Sequence, residues 1–242
     1  EPILDFGRKG TFDENGIIPN YVFQENGKVY LYYAGWSQCK NVPYKNFTGL
    51  AISEDNGLSF TKYSEGPVLG MDKKNPLSAT GPGIIKRADD YFMLYSTGMD
   101  WVEINGKLEH TYLFSYATSK NLLDWNCSNE ILIEPEKEFM AHCKPAIISK
   151  NGEHHLWFST RGSHNFRKSD GEAYRLGYAK SSDLMNWERN DDAVGISVSD
   201  KGWDSDMICY PHIVAVGNKY YMFYNGNGFG RSGFGYAELE LS

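Results

Sequence analysis

The sequence predicts an all-β fold, a β-propeller of four-stranded antiparallel blades, on three observations. Pro19, Pro82, Pro145 and Pro211 lie 63, 63 and 66 residues apart, and an apolar run follows each. An aromatic strand comes next every time, and a strand of small residues comes after it. A four-stranded unit that recurs along a chain marks a blade array. Composition agrees, with 17 Tyr, 13 Phe, 6 Trp and 25 Gly: aromatic side chains favour strands and Gly favours turns. No helical period of any length competes.

The elements follow in order within each repeat. The first strand begins at the proline. The second is the Tyr-rich segment: VYLYYAG at 29–35, YFMLYSTG at 91–98, HLWFSTRG at 155–162 and YYMFYNGNG at 220–228. The third is GLAIS at 49–53, SYATS at 115–119, GYAKS at 177–181 and GYAEL at 235–239. Its Gly and Ala leave room for close sheet-on-sheet approach. In three repeats a polar turn then leads to an aromatic residue, Phe60, Trp125 or Trp187, which opens the way to a fourth strand. SEDNGLSF at 53–60 also fits the Asp-box pattern, and Asp55 is expected to bond its own turn.

The fourth repeat runs out at Leu241, after its third strand. EPILD at 1–5 resembles a lone fourth strand, by comparison with EGPVL at 65–69. It either completes the last blade or ends an earlier blade whose first three strands lie upstream. With no initiator Met before Glu1, the second reading is the expectation. Residues 1–242 are then a single propeller domain of the five-bladed type, with about four blades' worth of sequence here and a first blade lacking.

Twenty-four Lys and Arg against 31 Asp and Glu give a formal charge of −7. That balance argues against a nucleic-acid partner, because neutralising phosphates takes a basic face. No apolar run is long enough to span a membrane as a helix. The cysteines, Cys39, Cys127, Cys143 and Cys209, form no CxxC pair, so a zinc site is not expected. Buried thiols in a reducing, cytoplasmic compartment are expected instead. Neither a metal nor an organic cofactor is implied, and the oligomeric state is left open.

Antiparallel topology puts the segments before each proline on the same face as the connections between second and third strands. The first set comprises residues 12–15, 77–80, 140–144 and 203–206. The second comprises residues 36–45, 100–110, 161–175 and 225–231, expected to be long loops and therefore the place for a site. Aromatic rings with carboxylates, Arg and His suit a polyhydroxylated or anionic ligand, because rings stack on sugar faces and charged groups bond hydroxyls. GNGFGRSG at 226–233 joins two strands and opens no helix, so it is no dinucleotide or phosphate loop.

The order of proline, Tyr-rich strand, GxA-S strand and S-x-D-x-x-x-W turn resembles the five-bladed glycosidase propellers, including glycoside hydrolase families 43, 32, 68 and 130. GTFDENGIIP at 10–19, the stretch 49–69 and GWDSDMICYP at 202–211 are similar to glycosidase-related propeller proteins of bacterial surface-polysaccharide gene clusters. The resemblance implies a carbohydrate substrate and five blades, but no particular reaction. Families 43 and 32 place acidic residues next to the first-strand proline or two before it. Here those positions hold Ile18 and Ile17, Gly81 and Thr80, Lys144 and Cys143, Tyr210 and Cys209.

The nearest carboxylates lie five positions before the proline, Glu14 and Asp206, and these are the candidate catalytic acid and base. Glycoside hydrolysis needs one carboxyl to protonate the leaving oxygen and one carboxylate to activate water. Asp13 and Asp204 follow Phe12 and Trp203 in parallel fashion, which suggests a shared blade-joining role. His142, Lys144, Arg161, Trp36, Tyr174 and Arg231 are the candidate substrate-binding residues. His142, Lys144 and Arg161 suit a carboxylate or phosphate, as in the phosphorolysis of family 130. The expected function is a glycoside hydrolase acting on a bacterial polysaccharide or its precursor. The alternatives are a glycoside phosphorylase and a carbohydrate-binding or assembly propeller without catalysis.

Overall fold

The computed structural model describes residues 2–168 and 171–240. Glu1, Ser169, Asp170, Leu241 and Ser242 lie outside the described residues, and with them one end of the orphan segment 1–5 and the last residue of the fourth repeat. Residues 2–5 form no strand.

Fifteen strands follow one another along the described chain, grouped as the prolines foretell. The first repeat holds β1 (Gly16–Glu25), β2 (Lys28–Gln38), β3 (Tyr44–Ser53) and the two-residue β4 (Thr61–Lys62). The second holds β5 (Ala79–Lys86), β6 (Tyr91–Ile104), β7 (Lys107–Ser119) and β8 (Asn126–Cys127). The third holds β9 (Ala141–Lys150), β10 (Glu153–Arg161), β11 (Arg175–Ser181) and β12 (Glu188–Arg189). The fourth has three strands, β13 (Cys209–Val216), β14 (Lys219–Asn225) and β15 (Phe234–Leu239). Consecutive strands pair antiparallel in the first, third and fourth repeats.

The chain divides into two compact units, Glu1–Trp101 with Ser115–Glu130, and Val102–Phe114 with Ile131–Ser242. The first is built on a core of Tyr32, Phe47, Leu50, Leu69, Met93, Tyr95 and Leu122. The second has a core of Trp157, Leu176, Tyr178, Val194, Ile208 and Met222. Each fully buried apolar side chain contributes about 1.5–3 kcal/mol, so these interiors carry the stability of the units.

Two sequence expectations change in the structure. Residues 100–110 are not a loop: β6 and β7 run on to a two-residue turn at Asn105-Gly106, both with positive φ (52° and 74°). An Asn-Gly pair in that conformation is the preferred tight hairpin turn, because its twist matches the strands. The small residue of the third strand also has a different purpose. Tyr33 lies directly across from Gly49 and Phe158 from Gly177, and a Cβ on either glycine would come within 2.3 or 2.4 Å of the facing ring. The glycine makes room for a ring of its own sheet rather than for a second sheet.

The turns after the third strands are built as the sequence implies. Asp55 accepts from Ser53 Oγ at 2.7 Å, the Ser59 amide at 2.9 Å and Ser59 Oγ at 2.6 Å. These bonds, from Ser59 and Ser53, hold its carboxyl down to about 2. Asp183 does the same for Met185 and Asn186.

The prolines mark a break in pairing. In the second, third and fourth repeats two residues, Gly81-Pro82, Lys144-Pro145 and Tyr210-Pro211, face a single residue of the second strand. The residue before each proline has positive φ: 66° at Gly81, 55° at Lys144 and 58° at Tyr210. For Lys and Tyr this conformation costs on the order of 1–3 kcal/mol. Such a bulge re-aims the side chain that it carries.

Candidate functional site

The second unit gathers most of the expected residues around two of these bulges. Ser159 Oγ accepts from the Tyr210 amide at 2.6 Å and so fixes one bulge. Lys144, on the other, is partly buried, and loss of hydration pushes its ammonium down to about 8. His212 is held below its usual range by burial first and by the Lys144 charge second. Cys143, next along the strand, is a free thiol that burial pushes up.

Beside them lies a dense group built on β10 and on the segment that leads into β11. Arg161 is 4% exposed. Its guanidinium donates to Gly162 O at 2.9 Å, His110 O at 2.8 Å and the Tyr174 hydroxyl at 3.3 Å. It also lies over the Phe166 ring, 3.7 Å from the centroid. The Tyr174 hydroxyl meets that of Tyr112 at 2.6 Å and receives the Cys143 thiol at 3.7 Å. Arg161 and Tyr174 are thus engaged by the protein itself. His110, pressed down to about 4 by burial and by the Arg161 charge, sits beside them as a neutral imidazole.

His142 is completely buried, its ring 5.3 Å from that of Phe158 and 6.0 Å from that of Phe114. Burial, and next the Arg189 charge, lowers it to about 3. It faces the interior of the repeat. Arg231 is exposed in the 226–233 turn, where its amide donates to Gly228 O. Asp206 is half-buried. Its amide donates to Asn227 Oδ1 at 2.7 Å and its carbonyl accepts from Arg175 at 2.8 Å. Its carboxylate has Ser205 Oγ, at 3.5 Å, as its side-chain hydrogen-bond partner among the described residues. The backbone is pinned while the carboxylate stays available.

The first unit holds the other two expected residues. Glu14 is half-buried, and one of its oxygens accepts from the Gly10 amide at 2.8 Å. Trp36 heads a chain of rings: Trp36 to Tyr44 at 4.4 Å and Tyr44 to Trp101 at 4.9 Å. A hollow of about 530 Å³ beside it is lined by Phe6, Asn15, Ile18, Trp36, Gln38 and Tyr44. Ile18 is 49% exposed there. An apolar wall with amides at its edge is the surface that a sugar ring stacks on.

Sequence reasoning missed Tyr44, Tyr112, Tyr210 and His212. Tyr210 was detectable, since it stands next to a repeat-defining proline. His212 depends on which way β13 faces after its bulge, and Tyr44 and Tyr112 on where β3 and β7 begin and pair. Asp13 and Asp204 are buried acceptors within their own repeats, rather than joints between blades, taking the hydroxyls of Tyr33 and Tyr224 at 3.2 and 3.3 Å. Among the described residues no group of three or more His, Cys, Asp or Glu converges as metal ligands would. Among them, too, no helix is long and apolar enough to cross a membrane.

Residues 5–177 match the family model described as the glycosyl hydrolases family 32 N-terminal domain. Two uncharacterized proteins from strains of Mycobacterium tuberculosis are 34% identical over 241 residues, which is 99% of this chain and 77% of each relative. A 1,2-beta-oligomannan phosphorylase of Thermoanaerobacter sp. (strain X514) is 25% identical over 142 residues, 57% of this chain and 45% of that protein. The structure of a thermostable family-43 glycoside hydrolase superposes with a TM-score of 0.70 at 18% identity, over 91% of this chain and 70% of that one. At that identity the likeness is one of fold.

Proposed function

The chain belongs to the glycosyl hydrolase family 32 N-terminal domain family, within the five-bladed propeller glycosidases, and from that premise we propose that it cleaves an O-glycosidic bond of a bacterial polysaccharide or its precursor. In this reading residues 1–242 are one domain and the four meanders are blades of a ring. The regular proline spacing and the recurring bulge support that. The observation that carries the catalytic reading is Asp206, a half-buried carboxylate on a pinned backbone with one weak side-chain bond. Such a group can take or give a proton at a bound sugar. Glu14, in the first unit, is the other carboxylate of this reading, with one oxygen accepting from the Gly10 amide at 2.8 Å. Trp36, Tyr44 and Trp101 stack the sugar.

A second reading, phosphorolysis, is favoured by Lys144. A desolvated ammonium on a strained bulge, with His212 beside it, suits an oxyanion. The phosphorylase among the relatives makes inorganic phosphate the anion to test.

The test incubates the protein with furanosides, mannosides and acidic-sugar glycosides, with and without phosphate, and reads products by mass spectrometry. Glu14→Gln and Asp206→Asn are each expected to lower turnover by about 10²–10⁴-fold. Turnover that needs phosphate and is lost in Lys144→Met selects phosphorolysis. Turnover that survives both carboxylate changes removes the pair. Saturable sugar binding without product leaves a binding protein.

A further inference from the structure

The hollow beside Trp36 is more apolar than stacking alone requires. Gly16, Ile17 and Ile18 of β1 pair with Trp36, Gly35 and Ala34 of β2. Ala34 is too small to cover Ile18, which stays 49% exposed. Ile17 and Pro43 add aliphatic carbon to the same wall. Tyr44, paired with Gln38 at the start of β3, turns its ring against Trp36 at 4.4 Å. Aliphatic surface left to water is unfavourable in proportion to its area, so this wall favours a ligand that brings carbon to it.

The polar groups are few and neutral. None of the described residues that line the hollow carries a formal charge. Asn15 Oδ1 accepts from the Gln38 backbone amide at 2.9 Å, and Ser37 Oγ donates to Phe12 O at 2.9 Å. Both are therefore committed to the protein. The Trp36 indole N–H is buried and offers the hollow no donor. For a ligand there remain the Asn15 amide N–H groups and the Gln38 carboxamide, both on exposed residues at the rim. A hexose brings a hydroxyl on almost every carbon, and each one buried without a partner loses affinity. A carboxylate loses far more. A methyl group removes one such demand and covers aliphatic surface at the same time.

We propose that this hollow selects a neutral sugar that presents a methyl group, either a 6-deoxy hexose or an O-methyl ether. The methyl sits on Ile17, Ile18 and Pro43, and the ring stacks on Trp36. This selection rests on the reading of the protein as a glycosidase whose sugar lies at Trp36, and it narrows the substrate of that site.

Binding is read by NMR titration of the whole protein with methyl glycosides of mannose, galactose and glucose, each as the parent, the 6-deoxy form, the O-methyl ethers and the uronate. For at least one of the sugars a methyl-bearing form is expected to bind about fourfold to tenfold more tightly than its parent. The uronates should bind at least about tenfold more weakly than their parents. The 6-deoxy and ether arms distinguish the two sources of the methyl. Ile18→Asn should bring parent and methyl form within about twofold of each other, and Trp36→Ala should weaken both together. In the unmodified protein, saturation of the isoleucine methyl resonances should transfer most strongly to the ligand methyl, a readout that needs no variant to fold. Parents that bind as tightly as every methyl form overturn the proposal. So do uronates that match their parents, a preference that Ile18→Asn leaves intact, or no binding by any glycoside. Turnover separates this selection from the reading beneath it: a methyl preference without turnover of any glycoside keeps the selection and removes the enzyme, and turnover without the preference does the reverse.

Discussion

In the first repeat the ring of the second strand is a tyrosine, Tyr33, and its surroundings are ionic: Asp13 takes its hydroxyl and Lys62 takes Asp13. In the third repeat the same ring position is Phe158, and the surroundings are a neutral imidazole and the Arg189 guanidinium, which lies 5.3 Å over the ring and pairs with Glu136 and Asp191. Loss of one hydroxyl from the ring goes with loss of the buried acid beneath it. A buried acceptor and its donor are kept or lost together, because either one alone carries the full cost of desolvation. The two repeats therefore fold alike and should fail differently.

The largest expected effect falls on the ionic repeat. Asp13→Ala leaves Lys62 and the Tyr33 hydroxyl without their acceptor in a buried site, and should cost about 3–5 kcal/mol in urea unfolding. Asp13→Leu combined with Lys62→Met should recover part of that loss, because both charges then leave together. If the single change costs less than about 1 kcal/mol, the ionic contacts around Tyr33 add little and the comparison fails.

Much of this was legible in the sequence, and the limits have physical causes. The proline spacing located every repeat, and the Phe12-Asp13 and Trp203-Asp204 pairs already announced a common role. The turn at Asn105-Gly106 carried its own signal, but the polar residues around it masked two strands as a loop. His142, Arg161 and Tyr174 were expected to bind substrate, and the structure buries all three. His142 and Arg161 lie beyond the bulge at Lys144-Pro145, which no alternation pattern encodes. Lys62, Cys127 and Arg189 sit in strands of two residues, too short for any period to register. Of the candidate site, the Asp206 and Lys144 positions followed from the prolines. Tyr44 and His212 needed the fold.

The third repeat should be broken by acid. Burial keeps His142 neutral, with its folded value near 3 against about 6.5 in the unfolded chain. Between those values the unfolded chain binds more protons, so stability is lost as pH falls from about 6.5 toward 3, on the order of 2–4 kcal/mol in all. His142→Phe should flatten that part of the stability profile measured by urea unfolding at stepped pH. An unchanged slope in the variant would assign the acid sensitivity to another group, and His110, held to about 4, is the next to replace.

The smallest effect sharpens the comparison most. Asp204→Asn keeps an acceptor for the Tyr224 hydroxyl and removes a buried charge that no cation neutralises within the described residues. It should therefore change stability by less than about 1 kcal/mol, in either direction. The same replacement at Asp13 breaks the pairing with Lys62 and should cost about 2–3 kcal/mol. The two substitutions are chemically identical and both carboxylates are buried, so the difference between them isolates what the Lys62 pairing contributes. Equal costs, measured side by side by thermal unfolding, would mean that the pairing of Asp13 with Lys62 adds nothing to the fold.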